Sequence, residues 1–129
     1  MDKKNILIVT DGTETIIQTA QLMEKLLKKC EVTIKNAVDY SGTDILPADI
    51  FILGCEKPSP ESFKYLEKML LHINLAGRKC GIYSTNNQSL KYLKGMVKDC
   101  EASLADPLLL KSQIEDSDLQ EWLKSIIKE

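Results

Sequence analysis

The chain reads as an α/β protein, a three-layer α-β-α sandwich around a five-stranded parallel sheet of order 2-1-3-4-5. Three observations predict it. Short apolar runs alternate with helix-spaced segments from one end to the other. The runs NILIVT (Asn5–Thr10) and DIFILG (Asp49–Gly54) are continuously apolar, as strands buried on both faces are. Right-handed crossovers between parallel strands place helices on both faces of such a sheet. At 129 residues the chain fits one domain, residues 1–129, large enough to bury its own core.

Each element follows from its own pattern. Asn5–Thr10 is the first strand. From Thr13 to Lys28 the apolar positions Ile16, Ala20, Met23 and Leu27 recur at helical spacing with Lys and Glu between them. Glu31–Lys35 is a short strand with alternating Val32 and Ile34, and Asn36–Pro47 is a polar connection holding Tyr40-Ser41-Gly42. Asp49–Gly54 is the third strand. Pro58-Ser59-Pro60 marks a helix start, with Ser59 as N-cap and Pro60 at the first helical position. Phe63, Leu66 and Leu70 form the inner face of that helix, and Gly77 fits its terminating turn. Lys79–Ser84 is the fourth strand, and Leu90, Leu93 and Val97 mark the next helix. Glu101–Lys111 (EASLADPLLLK) is a fifth strand interrupted at Asp106-Pro107, and proline places it at the edge of the sheet. The capping box Ser117-x-x-Gln120 opens a final amphipathic helix through Trp122, Leu123, Ile126 and Ile127.

Composition excludes several classes. A formal net charge of −2 with no basic run or basic-aromatic stripe gives no nucleic-acid footprint. The opening MDKKNILIVT has too short an apolar run for a signal peptide, and no segment approaches a membrane span, so a soluble cytoplasmic protein is expected. Cys30, Cys55, Cys80 and Cys100 form no C-x-x-C, and with His72 as the single histidine they do not make a zinc site. They read as reduced, partly buried thiols, and His72 as a surface or packing residue.

In open parallel sheets ligands bind beyond the carboxyl ends of the strands, where strand order reverses. For order 2-1-3-4-5 the crevice lies between strands one and three. The loops Thr10–Thr15 and Cys55–Ser59 then face each other, with Ser84–Ser89 beside them.

These features resemble the flavodoxin family over nearly the whole chain. The resemblance rests on the strand, small polar loop and helix of NILIVTDGTETI, the glycine-containing loop after DIFILG, and the Pro60-x-x-Phe63 helix opening. NLAGRKCGIYSTN (Asn74–Asn86) and the interrupted EASLADPLLLK match further along. The family holds the phosphate of FMN in a loop patterned roughly Ser/Thr-x-Thr-Gly-x-Thr at a helix N-terminus. The resemblance therefore implies an FMN site drawn from Thr10, Asp11, Gly12, Thr13, Glu14 and Thr15. Cys55, Glu56 and Lys57, then Ser84, Thr85, Asn86 and Asn87, with Tyr92, complete it around the flavin ring.

The fit is uneven. With Gly12 on the family glycine, Asp11 and Glu14 replace threonines; with Thr10 and Thr15 on the outer hydroxyls, glycine and threonine are transposed at Gly12-Thr13. In both registers two carboxylates flank the phosphate position. A carboxylate about 5 Å from a unit of phosphate charge costs roughly 1–3 kcal/mol, against about 1.5–3 kcal/mol for one good hydrogen bond to a charged group. The alternative for Asp11-Gly12-Thr13-Glu14 is a D-x-x-E capping box that needs no ligand. The loop after DIFILG has no aromatic residue, and Lys57 is either a cation near the ligand or a solvated lysine. Ser84–Ser89 suits the polar edge of a flavin, whereas Tyr92 is either a stacking partner or a packing residue at helical spacing from Leu93 and Met96. Cys55 lies at the crevice mouth with no base beside it, as a structural thiol would.

Other classes lack their defining residues. A receiver domain needs an Asp where Cys55 and Glu56 stand, a dinucleotide fold needs G-x-G-x-x-G, a P-loop needs G-K-[ST], and a cysteine phosphatase needs a cysteine after strand one. No acid–base pair or nucleophile is marked. Two readings remain. One is an FMN-binding electron carrier, a monomer that meets redox protein partners. The other is a flavin-free module of the same fold that binds another small anion or a protein. Flavodoxins generally meet partners through a strongly acidic face, which this weakly acidic chain does not promise.

Overall fold

A computed structural model of the protein describes residues 4–39, 41–45, 47–110 and 115–127. In chain order the elements are β1 (Asn5–Thr10), α1 (Glu14–Leu26), β2 (Glu31–Asn36), a 3-10 turn (Ala37–Asp39) and a single helical turn, α2 (Gly42–Ile45). Then come β3 (Ile50–Gly54), a 3-10 turn (Glu61–Phe63), α3 (Lys64–Leu70), β4 (Lys79–Ser84) and α4 (Asn87–Val97). A 3-10 turn (Lys98–Cys100), β5 (Ser103–Leu104), β6 (Leu108–Leu109) and α5 (Asp116–Ile127) complete the chain. Tyr40 and Lys111, both named above, lie outside the described residues.

The strands are parallel in the order β2-β1-β3-β4-β5, with β6 pairing β4 further along the same edge. β1 and β3 run in register from Ile6 opposite Ile50 to Thr10 opposite Gly54. Both are buried on both faces, which explains their unbroken apolar sequence. Their alternate side chains feed two cores. Leu7, Val9, Phe51 and Leu53 pack with Leu66, Leu70, Leu90, Leu93 and Val97 of α3 and α4. Ile6, Ile8, Ile50 and Ile52 pack with Ile16, Ala20 and Met23 of α1 and with Leu119, Trp122 and Ile126 of α5. Each such side chain contributes about 1.5–3 kcal/mol by leaving water, so a one-residue slip of either strand would exchange the two cores at large cost.

The fifth lane is split as its proline demands. Ser103 N and Ala105 N donate to Arg78 O and Cys80 O, the chain leaves the sheet at Asp106-Pro107, and Leu110 N donates to Ser84 O where pairing resumes. Across the gap, the Trp122 indole N–H donates to Asp106 O at 2.7 Å. Gly81 makes room for this docking, because a Cβ there would stand 2.7 Å from Ile126 and 3.0 Å from the Trp122 ring.

Three helix boundaries differ from the sequence reading. Pro60, not Ser59, is the extended residue before the helical segment, which opens as a 3-10 turn; Ser59 instead takes φ +50°. α3 ends at Leu70, and Gly77 (φ +87°) serves a separate turn into β4, closed by Arg78 N donating to Leu75 O. α5 begins at Asp116, and Leu119 N donates to Glu115 O, so Ser117 lies inside the first turn rather than at the N-cap. At the starts of the two segments the shift is a turn or less, whereas α3 stops more than a turn short of Gly77, and local sequence dictates none of these limits.

Candidate functional site

The carboxyl ends of β1, β3 and β4 carry three loops into one crevice, at the point where strand order reverses. The β1–α1 loop turns at Gly12, whose φ of +86° suits glycine, and a Cβ there would stand 2.6 Å from Asn36 Nδ2 at the end of β2. The N-cap of α1 is Thr13, with no side-chain cap. The capping box expected from Asp11 and Glu14 is therefore not formed. Asp11 sits two residues too early and makes an Asx turn, Oδ1 accepting from Thr13 N at 3.1 Å and from Thr13 Oγ1 at 2.6 Å. Glu14 turns along the helix to accept from Gln18 Nε2. Ile17 N donates to Thr13 O, so the N–H groups of Glu14, Thr15 and Ile16 precede the first helical bond and meet no acceptor among the described residues. Thr10 is buried, its Oγ1 facing Gly12 N at 3.4 Å, and Thr15 is exposed.

The second Asp11 oxygen reaches across the crevice. Oδ2 accepts from Glu56 N at 2.8 Å, Glu56 O accepts from Asn86 Nδ2 at 2.7 Å, and Asn86 Oδ1 caps α4 by accepting from Ser89 N at 2.8 Å. All three loops are thus tied by one chain of hydrogen bonds. Ser84 Oγ and Thr85 Oγ1 support Asn86 from below, at 3.3 and 3.4 Å. Lys57 and Asn87 are exposed at the rim.

Tyr92 does not belong to this group. Its hydroxyl donates to Glu67 Oε2 of α3 at 2.7 Å and meets Met96 Sδ at 3.5 Å, and its ring packs on the α3–α4 core. Burial first, then the Glu67 bond and charge, hold its hydroxyl protonated well above the ordinary range. Cys55 is fully buried. Burial, then the Asp11 carboxylate, push its thiol up to about 12, while Ser89 pulls the other way. The Ser89 hydroxyl stands beside that thiol without hydrogen-bond geometry and is buried with no partner among the described residues. A thiol held protonated in this way is inert at neutral pH. All four cysteines are free, Cys30 the least buried, and His72 is exposed just past α3.

Tyr83 is the residue that sequence reasoning passed over. It is fully buried beneath the crevice, donates from its hydroxyl to Ile16 O in the first turn of α1 at 2.9 Å, and lies opposite Gly54 in register. A Cβ at Gly54 would fall 2.3–2.8 Å from three atoms of its ring. Burial, then Asp11, then Cys55 raise its pKa far above the usual phenol range, so the hydroxyl stays protonated. A glycine ending one strand opposite an aromatic near the end of the next was the available signal.

The sequence matches no protein-family model and no curated protein. Solved structures do match. A short-chain flavodoxin associated with a PDU bacterial microcompartment superposes with a TM-score of 0.81 at 18% identity, over 99% of this chain and 98% of that one. The flavodoxin of Streptococcus pneumoniae TIGR4 gives 0.81 at 15%, covering 95% and 96%. A Fusobacterium nucleatum flavodoxin variant bound to flavin mononucleotide gives 0.77 at 16%, covering 98% and 96%. The chain has a flavodoxin-like fold. A CheY-like receiver domain from Methanospirillum hungatei is similar at a lower TM-score of 0.57, with 24% identity. Among the described residues no helix is long and apolar enough to cross a membrane, and no cluster of side chains could hold a metal ion.

Proposed function

We propose that this chain binds FMN and acts as an electron-transfer protein of the flavodoxin kind. The observation that carries the reading is the first turn of α1. It offers three N–H groups without acceptors among the described residues, at the positive end of a helix and at the switch point of the sheet. The near-complete mutual coverage with flavodoxins supports it.

The two halves of the crevice fit this cofactor unequally. The N–H groups of Glu14, Thr15 and Ile16 suit the phosphate, with the exposed Thr15 hydroxyl beside them. Thr85 offers a hydroxyl to the edge of a ring, and Asn86 and the Glu56 backbone can do so once the bond between them opens. Among the described residues no aromatic side chain stands ready to stack on it, since Tyr92 turns to α3. The bound flavin supplies one- or two-electron redox chemistry. The chain's part is to hold the phosphate, orient the ring edge through Asn86, and exclude water with the floor of Tyr83 and Cys55. Redox protein partners would meet the exposed rim at Lys57 and Asn87.

A second reading is favoured by the Asp11–Glu56–Asn86 chain of bonds, which spans the ring side of the crevice and places a carboxylate near the phosphate position. Under it the chain is a flavin-free module for a different anion or a protein. A visible spectrum of the purified protein and an FMN titration followed by flavin fluorescence separate the two. Yellow protein, or saturable quenching in the micromolar range or tighter, supports the carrier. No binding at high FMN concentration leaves the flavin-free module.

A further inference from the structure

Away from the crevice, α4 presents a second surface. Its inner side buries Ser89, Leu90, Leu93, Met96 and Val97. Its outer stripe, Lys91 and Lys94, continues into Lys98 at its C-cap; all three are exposed, at spacings that keep them on one face. None of the three has an ion-pair partner among the described residues. A positive stripe on a chain of net charge −2 is a local departure from the whole.

Gly95 interrupts this stripe. Glycine inside a helix weakens it relative to alanine. A Cβ at this position would meet nothing within 4 Å, so packing within the chain does not require glycine. Two shallow grooves meet there. One, of about 540 Å³, has Val97, Ala102 and Leu104 as its apolar floor and the three lysines as its rim. The other, of about 310 Å³, runs between α3 and α4 past Leu71, Tyr92 and Met96. Lys91 and Gly95 line both, so the grooves join across the helix at its thinnest point. Leu71 is 56% exposed, a large apolar side chain left in water. The acid in these grooves, Glu67, is already bonded to Tyr92.

We propose that this face binds an acidic amphipathic helix of a partner protein. Its apolar edge crosses α4 at Gly95 and fills the joined grooves, while its carboxylates meet Lys91, Lys94 and Lys98. A glycine permits close approach of a second backbone, and unpaired lysines around an apolar floor complement an acidic, apolar-edged helix. Strand addition is poorly served here, because the adjacent edge is two residues of β5 followed by Asp106-Pro107.

The test titrates the ¹⁵N-labelled full chain with a synthetic helical peptide of Glu, Ala and Leu, its leucines on one face. A scrambled peptide of the same composition is the control. Saturable shifts at Leu71, Lys91, Gly95, Val97 and Ala102, seen only with the amphipathic peptide, are expected. The triple charge reversal Lys91→Glu, Lys94→Glu, Lys98→Glu weakens binding at least about tenfold. Gly95→Gln raises the melting temperature yet weakens binding, a combination that a purely structural role for Gly95 would not give. The proposal is overturned by equal binding of both peptides, by no binding, or by shifts confined to the crevice. It is also overturned if phosphatidylserine vesicles or duplex DNA bind this face more tightly than the peptide. Concentration-dependent self-association through the same amides would assign the face to a second copy and overturn it equally.

Discussion

At the α1 end of the crevice three backbone N–H groups are left open, whereas at the β3–β4 end the groups of Glu56 and Asn86 are already satisfied by one another and by Asp11. The first arrangement is ready for an anion without rearrangement. The second is a folded-in substitute for a ligand, made from the protein's own polar groups. Preorganisation of a site thus need not be uniform along its length: for the proposed FMN, the α1 end would take the phosphate at once, but ring entry would require at least the Glu56–Asn86 contact to give way. Asp11 belongs to both halves, which makes it the residue through which they can be separated.

The largest expected effect comes from the shared floor. Gly54→Ala drives a Cβ into the fully buried Tyr83 ring, and an unfolding titration should show a loss of about 3 kcal/mol, with both halves of the crevice damaged together. Asp11→Ala removes the acceptor of three hydrogen bonds and should cost about 2 kcal/mol of stability. By removing a negative charge, it should also tighten FMN binding up to about tenfold. Tightening would identify Asp11 as a guard of the phosphate half; weakening would make the loop it organises part of the site. Asn86→Ala loses the α4 cap and the Glu56 link together, at about 1 kcal/mol, and should change ring binding without touching the α1 end. Lys57→Trp supplies the missing stacking surface and should improve FMN affinity by about 0.5–1.5 kcal/mol with little change in stability.

The smallest effect is invisible at neutral pH. Burial raises Cys55 from 9.0 to about 12, and Cys80 and Tyr83 shift in the same direction. The unfolded chain releases these protons at lower pH than the folded one. The stabilisation is therefore complete below about pH 9 and is lost as pH rises towards 12. Urea midpoints should be flat with pH on this account up to that point and then fall, and Cys55→Ala should reduce the slope.

Strand order and the edge position of the proline-broken lane were legible because burial on two faces and a missing N–H leave marks in the local sequence. The crevice was legible as a place for the same reason, since topology alone brings Thr10–Thr15, Cys55–Ser59 and Ser84–Ser89 to one end of the sheet. Its wiring was not. Asp11 looked like a helix cap because its long-range partner, Glu56 N, lies 45 residues away, and helix capping is the local use of an Asp at such a position. Tyr92 could be counted on a helix, but Glu67 decides where its hydroxyl points. Tyr83 was hidden inside a strand whose pattern said only that it was buried.

Trp122, the single tryptophan of the chain, also serves as an optical gauge. Its indole N–H is bonded to the carbonyl at the break in the outer lane, and its ring meets Tyr83 edge-on with centroids 6.4 Å apart. Its emission therefore reports on the seam where α5 clamps two very short strands against β4, while far-ultraviolet dichroism reports on the whole. If that seam opens before the central strands do, the two signals will part on heating, with fluorescence changing first. One intrinsic fluorophore then shows whether this protein melts as a unit or frays from its proline-broken side.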